Sequence, residues 1–119
     1  MDTWIVETTA RFRAWLKEQD NDMVIDVLAS IKVLERFGPM LGRPDVDHIK
    51  GSAFPDMKEL RVQSNGRAVR AFFAFDPVRK AILLCAGDKT GAKEQRFYKD
   101  MIKTADEEYR DHLESLKNE

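Results

Sequence analysis

Two arginines flanking a tight turn, Arg61 and Arg70, carry the clearest chemical signal in this 119-residue chain. Between them lies Asn65-Gly66, the dipeptide that most readily supplies the two positive-φ positions of a two-residue hairpin. That turn pairs Ser64 with Arg67, and counting back sets Val62 opposite Val69 and Arg61 opposite Arg70. Like charges directly opposite on one sheet face repel. Such a pair is most simply kept when an anion, phosphate or carboxylate, lies between the two guanidinium groups. Two readings stay open: a bound phosphate, or one arginine paired with Glu59 or Asp88 in a salt-bridged surface.

Other chemistries are poorly supplied. One cysteine excludes an internal disulfide, and with two histidines it is too few ligands for a usual zinc site, so neither metal nor cofactor is expected. Residues 58–103 hold eleven basic and five acidic side chains, a balance of +6, against nine basic and sixteen acidic elsewhere, −7. This asymmetry points to a polyanion site on one part of the fold, or else to an ordinary mixed surface. Cys85, inside an apolar strand, reads as a small buried hydrophobe, and Trp4 and Trp15 as core packing. His48 reads as a solvated loop histidine, and His112 as a residue favoured near a helix C-terminus. The run Asp106-Glu107-Glu108 reads as a solvated helix face.

The elements that must position the arginines follow from periodicity. Trp4-Ile5-Val6 is a short strand, and Thr8 and Thr9 are N-cap residues for a helix with Phe12, Trp15 and Leu16 on one face. Asp20-Asn21-Asp22 recaps a second helix, with Val24, Val27, Leu28, Ile31 and Leu34 inward and Gly38-Pro39 as its stop. The two helices read as an antiparallel hairpin. Residues 39–56, with three prolines and two glycines, read as a long irregular stretch. Strands over 58–63, 67–75 and 80–87 follow, the last two apolar enough to be covered on both faces. A four-residue link over 76–79 sets Arg70 beside Cys85 and Arg67 beside Asp88. A helix from Lys93 onward carries Phe97, Met101, Ala105, Tyr109, Leu113 and Leu116. The expected fold is α+β, order βααβββα, antiparallel strands packed against helices, in one domain over residues 1–119. No apolar run is long enough to span a membrane and no signal sequence opens the chain, so the expected location is the cytoplasm.

In order and spacing the chain resembles the RelE/ParE superfamily of toxins, in its HigB branch, the phage-derived Gp49-like proteins. The fragments are Ile49-Lys50-Gly51, Glu59-Leu60-Arg61, Val69 to Asp76, Leu83 to Gly91 with its Gly-Asp-Lys-x-Gly turn, and Phe97-Tyr98. A final helix with Ala105-Asp106, Tyr109 and His112-Leu113 completes the set. The resemblance implies a RelE-like fold and a type II toxin that cleaves messenger RNA in the ribosomal A site without metal. The ribose 2′-OH attacks the neighbouring phosphate and the 5′-oxygen leaves. It implies further that Arg61 and Arg70 grip the phosphate and that Lys89 stabilises the transition state or protonates the leaving oxygen. Asp88 is then a base, Tyr98 a stacking or proton-transfer group, and Lys58, Arg67 and Lys93 hold the RNA backbone. The implied partners are a cognate helix-turn-helix antitoxin, the ribosome and messenger RNA. The free toxin is expected to be a monomer that enters a higher assembly with its antitoxin. A gyrase-inhibiting ParE-type toxin and a non-catalytic binding module are the alternatives. On the opposed-arginine reading, Arg70→Ala abolishes activity while relieving repulsion and leaving the fold as steady or steadier.

Overall fold

Asn65 and Gly66 take φ values of 49° and 78°, the left-handed pair that a two-residue hairpin needs. The hairpin they close frames the sheet of the computed structural model, which describes residues 3–118. In chain order the elements are β1 (Val6–Thr8), α1 (Ala10–Lys17), α2 (Asn21–Phe37) and a 3-10 turn (Gly38–Met40). Then come β2 (Val46–His48), β3 (Lys58–Ser64), β4 (Arg67–Phe75), β5 (Ala81–Asp88) and α3 (Glu94–Lys117). The sheet order is β1-β5-β4-β3-β2, with β1 parallel to β5 and every other pair antiparallel. This is an α+β arrangement of the RelE-like kind. It has one strand more than the sequence announced, because β2 lies inside the stretch read as irregular.

Both faces of β4 and β5 are covered, as their unbroken apolar runs require. On one face Leu60, Val62, Val69, Ala71 and Phe73 pack with Phe12 of α1 and Met23, Val27 and Leu34 of α2. On the other, Phe72, Ala74, Ile82 and Leu84 pack with Ala105 and Tyr109 of α3. Thr9 caps α1 and Asp20 caps α2, each accepting from the backbone N–H three residues on. The two helices lie on the same sheet face and share one core, α1 packing on β5 and α2 on β3. Leu28, expected inward, is exposed, and Met23 takes the buried position. No helix among the described residues is long and apolar enough to cross a membrane.

Two details shift the β4–β5 register. Asp76 accepts backbone hydrogen bonds from Val78 and Lys80, so the link is five residues long and Phe75 pairs with Ala81. Leu84 is then an extra residue in a bulge, since Phe73 pairs with Leu83 and Phe72 with Cys85. Arg70 therefore stands opposite Gly87 rather than Cys85, and Asp88 opposite Val69 rather than Arg67.

Helix α3 is pinned along its length. The Asp106 carboxylate, buried, accepts from the Ser52 hydroxyl at 2.5 Å and the Ala53 N–H at 2.9 Å. The Tyr109 hydroxyl donates to the Phe75 carbonyl at 3.2 Å. His112 Nε2 meets the buried Asp76 carboxylate at 2.8 Å. His112 is thus a tertiary anchor, not a helix-end charge, and the acidic run is divided in role. Asp106 is buried, Glu107 is exposed, and Glu108 pairs with Arg11. Asp106→Ala is expected to lower unfolding stability by about 1–3 kcal/mol, because two donors in the 49–57 loop lose a buried acceptor. Glu107→Ala should stay within about 0.5 kcal/mol. Urea unfolding of both variants checks the contrast.

Candidate functional site

The sheet face beneath the first turns of α3 gathers most of the charged residues that the opposed-arginine argument picked out. Arg61 and Arg70 are paired in register as expected, and the anion between them is an internal carboxylate. Glu59 shares their face because it lies two residues before Arg61 on the same strand. Its Oε2 is 3.2 Å from both Nε and NH2 of Arg61, and its Oε1 is 3.7 Å from Arg70 Nε. The Tyr98 hydroxyl donates to Oε1 at 2.6 Å. On the outer side Arg61 also reaches Asp47 of β2 at 3.1 Å.

Helix α3 brings Tyr98 here because β5 carries no side chain at Gly87. A Cβ at that position would come within 3.1 Å of the Phe97 ring and 3.3 Å of the Met101 sulfur. Phe97 and Tyr98 both pack against Phe72, with ring centroids at 6.4 and 5.9 Å. Lys89, on the turn after β5, places its Nζ 5.8 Å from the centroid of the Tyr98 ring and 3.1 Å from Glu94. Burial, the Glu59 hydrogen bond and the Glu59 charge push the Tyr98 phenol up to about 12, so it keeps its proton across the neutral range.

The cations differ in what they can offer a phosphate. Arg70 is 8% exposed along its side chain; its NH1 donates to the Val69 carbonyl, and its Nε has no hydrogen-bond partner. So deep a guanidinium has almost no surface to present. Arg61 is 32% exposed and Lys89 23%, and each has a solvent-reached carboxylate beside it, half-buried Asp47 or exposed Glu94. Exposed ion pairs are worth only about 0–1 kcal/mol, so an incoming phosphate can replace either carboxylate at little cost.

Other expected site residues lie elsewhere. Asp88 is on the opposite face of the sheet, in register with core residue Val69, and its carboxylate caps the turn through the Thr90 N–H. Arg67 shares that opposite face and holds the α2 cap residue Asp20 at 2.8 Å. This pairing, led by the Arg67 hydrogen bond, lowers the Asp20 carboxyl below its ordinary range. Lys58 also turns away, its Nζ lying 5.4 Å from the Phe75 ring centroid. The alternation along β3 and β4 that brings Glu59, Arg61 and Arg70 together sends Lys58 and Arg67 to the other side. Lys93 is exposed at the α3 N-cap. Cys85 is buried, and burial pushes its thiol up to about 12, which leaves no thiolate for nucleophilic chemistry. His48 is exposed on β2. Sequence reasoning considered Glu59 only as an arginine's partner, although its period-two spacing from Arg61 marked it. Asp47 had no signal, since a three-residue strand among prolines shows no pattern.

A five-stranded sheet packed against helices on both faces is an α+β fold of the RelE-like kind. The chain belongs to the family described as Phage derived protein Gp49-like, which it matches over residues 14–110. It is 50% identical over 104 residues to HigB2, a candidate toxin of Mycobacterium tuberculosis (strain ATCC 25618 / H37Rv), the match covering 87% of this chain and 51% of that one. It thus spans about half the length of HigB2. It is also 44% identical over 101 residues to HigB3, a candidate toxin of the same organism, covering 85% of this chain and 86% of that one. The HigB-branch resemblance stands with these findings.

The two tyrosines of the chain make the Tyr98 environment measurable. In a Tyr109→Phe background, alkaline absorbance should show no phenolate until well above the ordinary tyrosine range, with a midpoint near 12. Glu59→Gln should bring that midpoint down by removing the adjacent negative charge. The folded state keeps a proton that the unfolded chain releases near 10, so this contribution to stability declines as pH rises from 10 to about 12.

Proposed function

We propose that this chain is the toxin of a type II toxin–antitoxin pair, a single toxin domain over residues 1–119. In this reading it cleaves messenger RNA on the ribosome as a metal-independent endoribonuclease in the cytoplasm, and a cognate helix-turn-helix antitoxin silences it. One observation carries the reading: the 2.6 Å Tyr98–Glu59 hydrogen bond stands beside two partly exposed cations, Arg61, shared between buried Glu59 and half-buried Asp47, and Lys89, paired with exposed Glu94. Membership in a family with toxin-named relatives supports the same conclusion.

In this mechanism the scissile phosphate replaces Asp47 on Arg61 and Glu94 on Lys89. The 2′-hydroxyl passes its proton to Tyr98 as Tyr98 passes its own to Glu59, and the 2′-oxygen closes on phosphorus. The P–O5′ bond breaks, and the Lys89 ammonium protonates the leaving oxygen. The products are a 2′,3′-cyclic phosphate and a 5′-hydroxyl. Arg61 meets the charge that builds on the phosphorane, a contribution worth about 3–4 kcal/mol where a site is preorganised. Glu59 takes the base role expected of Asp88, which the sheet separates from the cluster. Arg70 becomes a positioning residue, holding Glu59 and through it Tyr98.

Growth arrest with cleaved messages is expected when the chain is expressed without its antitoxin. Intact messages with supercoiling defects would establish a gyrase inhibitor instead. Purified ribosome-stimulated cleavage should persist in EDTA concentrations that leave ribosomes intact. Arg61→Ala and Tyr98→Phe should each slow it about 10²–10³-fold with little change in melting temperature for Arg61→Ala. Arg70→Ala should reduce both activity and stability, the latter by about 1–3 kcal/mol, because it leaves a buried carboxylate with one cation fewer. That reverses the stability expected from simple arginine–arginine repulsion.

A further inference from the structure

Five of the seven large hydrophobic side chains exposed among the described residues lie on α2 or in the turn that ends it: Ile25, Leu28, Val33, Phe37 and Met40. Ile25 is 62% exposed and Met40 91%. Ile25, Ala29, Val33 and Phe37 recur every four residues, forming one ridge on the outer side of a helix whose inner side is already spent on the core. Beside the ridge, between Ala29, Val33, Asp45 and Leu60, lies a cleft of about 130 Å³. Contiguous exposed apolar surface of this kind, edged by charge, marks a protein interface.

The charges around the ridge specify the partner. At the start of α2, Asp20 is held by Arg67 and Asp22 by Asn65, so these acids are already engaged within the chain. Toward its end Lys32 and Arg36 are exposed and form no ion pair among the described residues; Arg36 lies over the Phe37 ring at 5.6 Å. The face is therefore apolar with unanswered positive charge at its C-terminal half. A second copy packed antiparallel brings its own Lys32 and Arg36 and, with Asp20 and Asp22 engaged, only half-buried Asp26 from the start of its α2 to answer that charge. A different helix packed antiparallel answers it, if its first turns are acidic, as the helix dipole favours. Ridges spaced at four residues accept such a helix, and a side chain from it can enter the cleft.

We infer that the outer face of α2 is the docking surface for an amphipathic helical segment of the antitoxin, apolar along one stripe and acidic where it passes Lys32 and Arg36. The inference rests on the toxin reading above. The surface lies across the sheet from Glu59 and Tyr98, because α2 covers the face opposite α3. A partner seated there leaves the candidate catalytic cluster uncovered.

The test is calorimetric titration of the full chain with the purified protein encoded by the adjacent reading frame. Leu28→Glu and Val33→Glu change exposed positions and should keep the wild-type melting temperature. Each should bind at least about 30-fold more weakly, the loss expected of a residue central to an interface. Lys32→Glu/Arg36→Glu should bind more weakly by a factor that shrinks as salt is raised. Arg96→Glu/Lys99→Glu, on exposed α3 positions, should bind within about threefold of wild type. Wild-type affinity in the α2 variants, or loss of binding in the α3 variant instead, overturns the surface while leaving the toxin reading standing. So does self-association of the chain alone that Val33→Glu abolishes without changing antitoxin affinity. A wild-type chain that neither binds the adjacent protein nor arrests growth overturns the toxin reading, and this surface assignment with it.

Discussion

A carboxylate removed from water must find its full complement of donors, and Glu59 meets that demand at the centre of the molecule. Arg61 supplies two nitrogens to one oxygen, while Tyr98 donates to the other and Arg70 stands beside it. These partners come from β3, β4 and α3, so the ion couples three elements that are distant in sequence. Counting Asp47, two carboxylates face two guanidinium groups, and the cluster is neutral. A neutral buried network is what lets Arg61 and Arg70 sit opposite each other without cost from mutual repulsion. The sheet face is thus not a bare cationic surface; its positive charge becomes available only where an exposed carboxylate can be exchanged.

That difference divides the cluster into scaffold and reactive edge. Buried pairs are costly to break because a lone ion remains in low dielectric, whereas exposed pairs dissociate with little penalty. Glu59 and Arg70 belong to the first kind and the link of Lys89 to Glu94 to the second, while the half-buried Arg61–Asp47 link lies between them. Tyr98 bridges the two. Its placement depends on α3 lying close to β5 at Gly87 and being held farther along by Asp106, Tyr109 and His112. The anchors most distant from the chemistry therefore set the geometry of the hydroxyl.

Covering the sheet on both sides also separates two kinds of surface. α3 completes the polar cluster on one side, while α2 closes the larger apolar core on the other and still exposes a second apolar ridge. A helix with two apolar sides is ordinarily buried. That α2 leaves Ile25, Leu28, Val33 and Phe37 exposed sets it apart from α1 and α3, on which no large hydrophobic side chain is exposed among the described residues.

Local rules made part of this legible in the residues alone. The Asn65-Gly66 turn determined the β3–β4 register, because few other dipeptides accept two successive positive φ angles; period-two alternation then placed Arg61 opposite Arg70 and Leu60, Val62 and Val69 in the core. Capping chemistry located α1 and α2, and the long apolar periodicity located α3. Only the tertiary structure decided the rest. The five-residue link and the bulge at Leu84 together shifted Arg70 from Cys85 to Gly87, and Leu28 faced outward because the sheet reaches only one side of α2. Short β2 formed by pairing with β3, without a pattern of its own, and so brought Asp47 to Arg61. Asp106 was buried by a loop more than fifty positions away in the chain, and Arg70 by a helix that begins after the next strand. Turns and alternation are properties of neighbouring residues, whose allowed dihedrals the side chains limit directly. Burial and charge pairing depend on which distant surface arrives opposite, and that is set only when the whole chain packs.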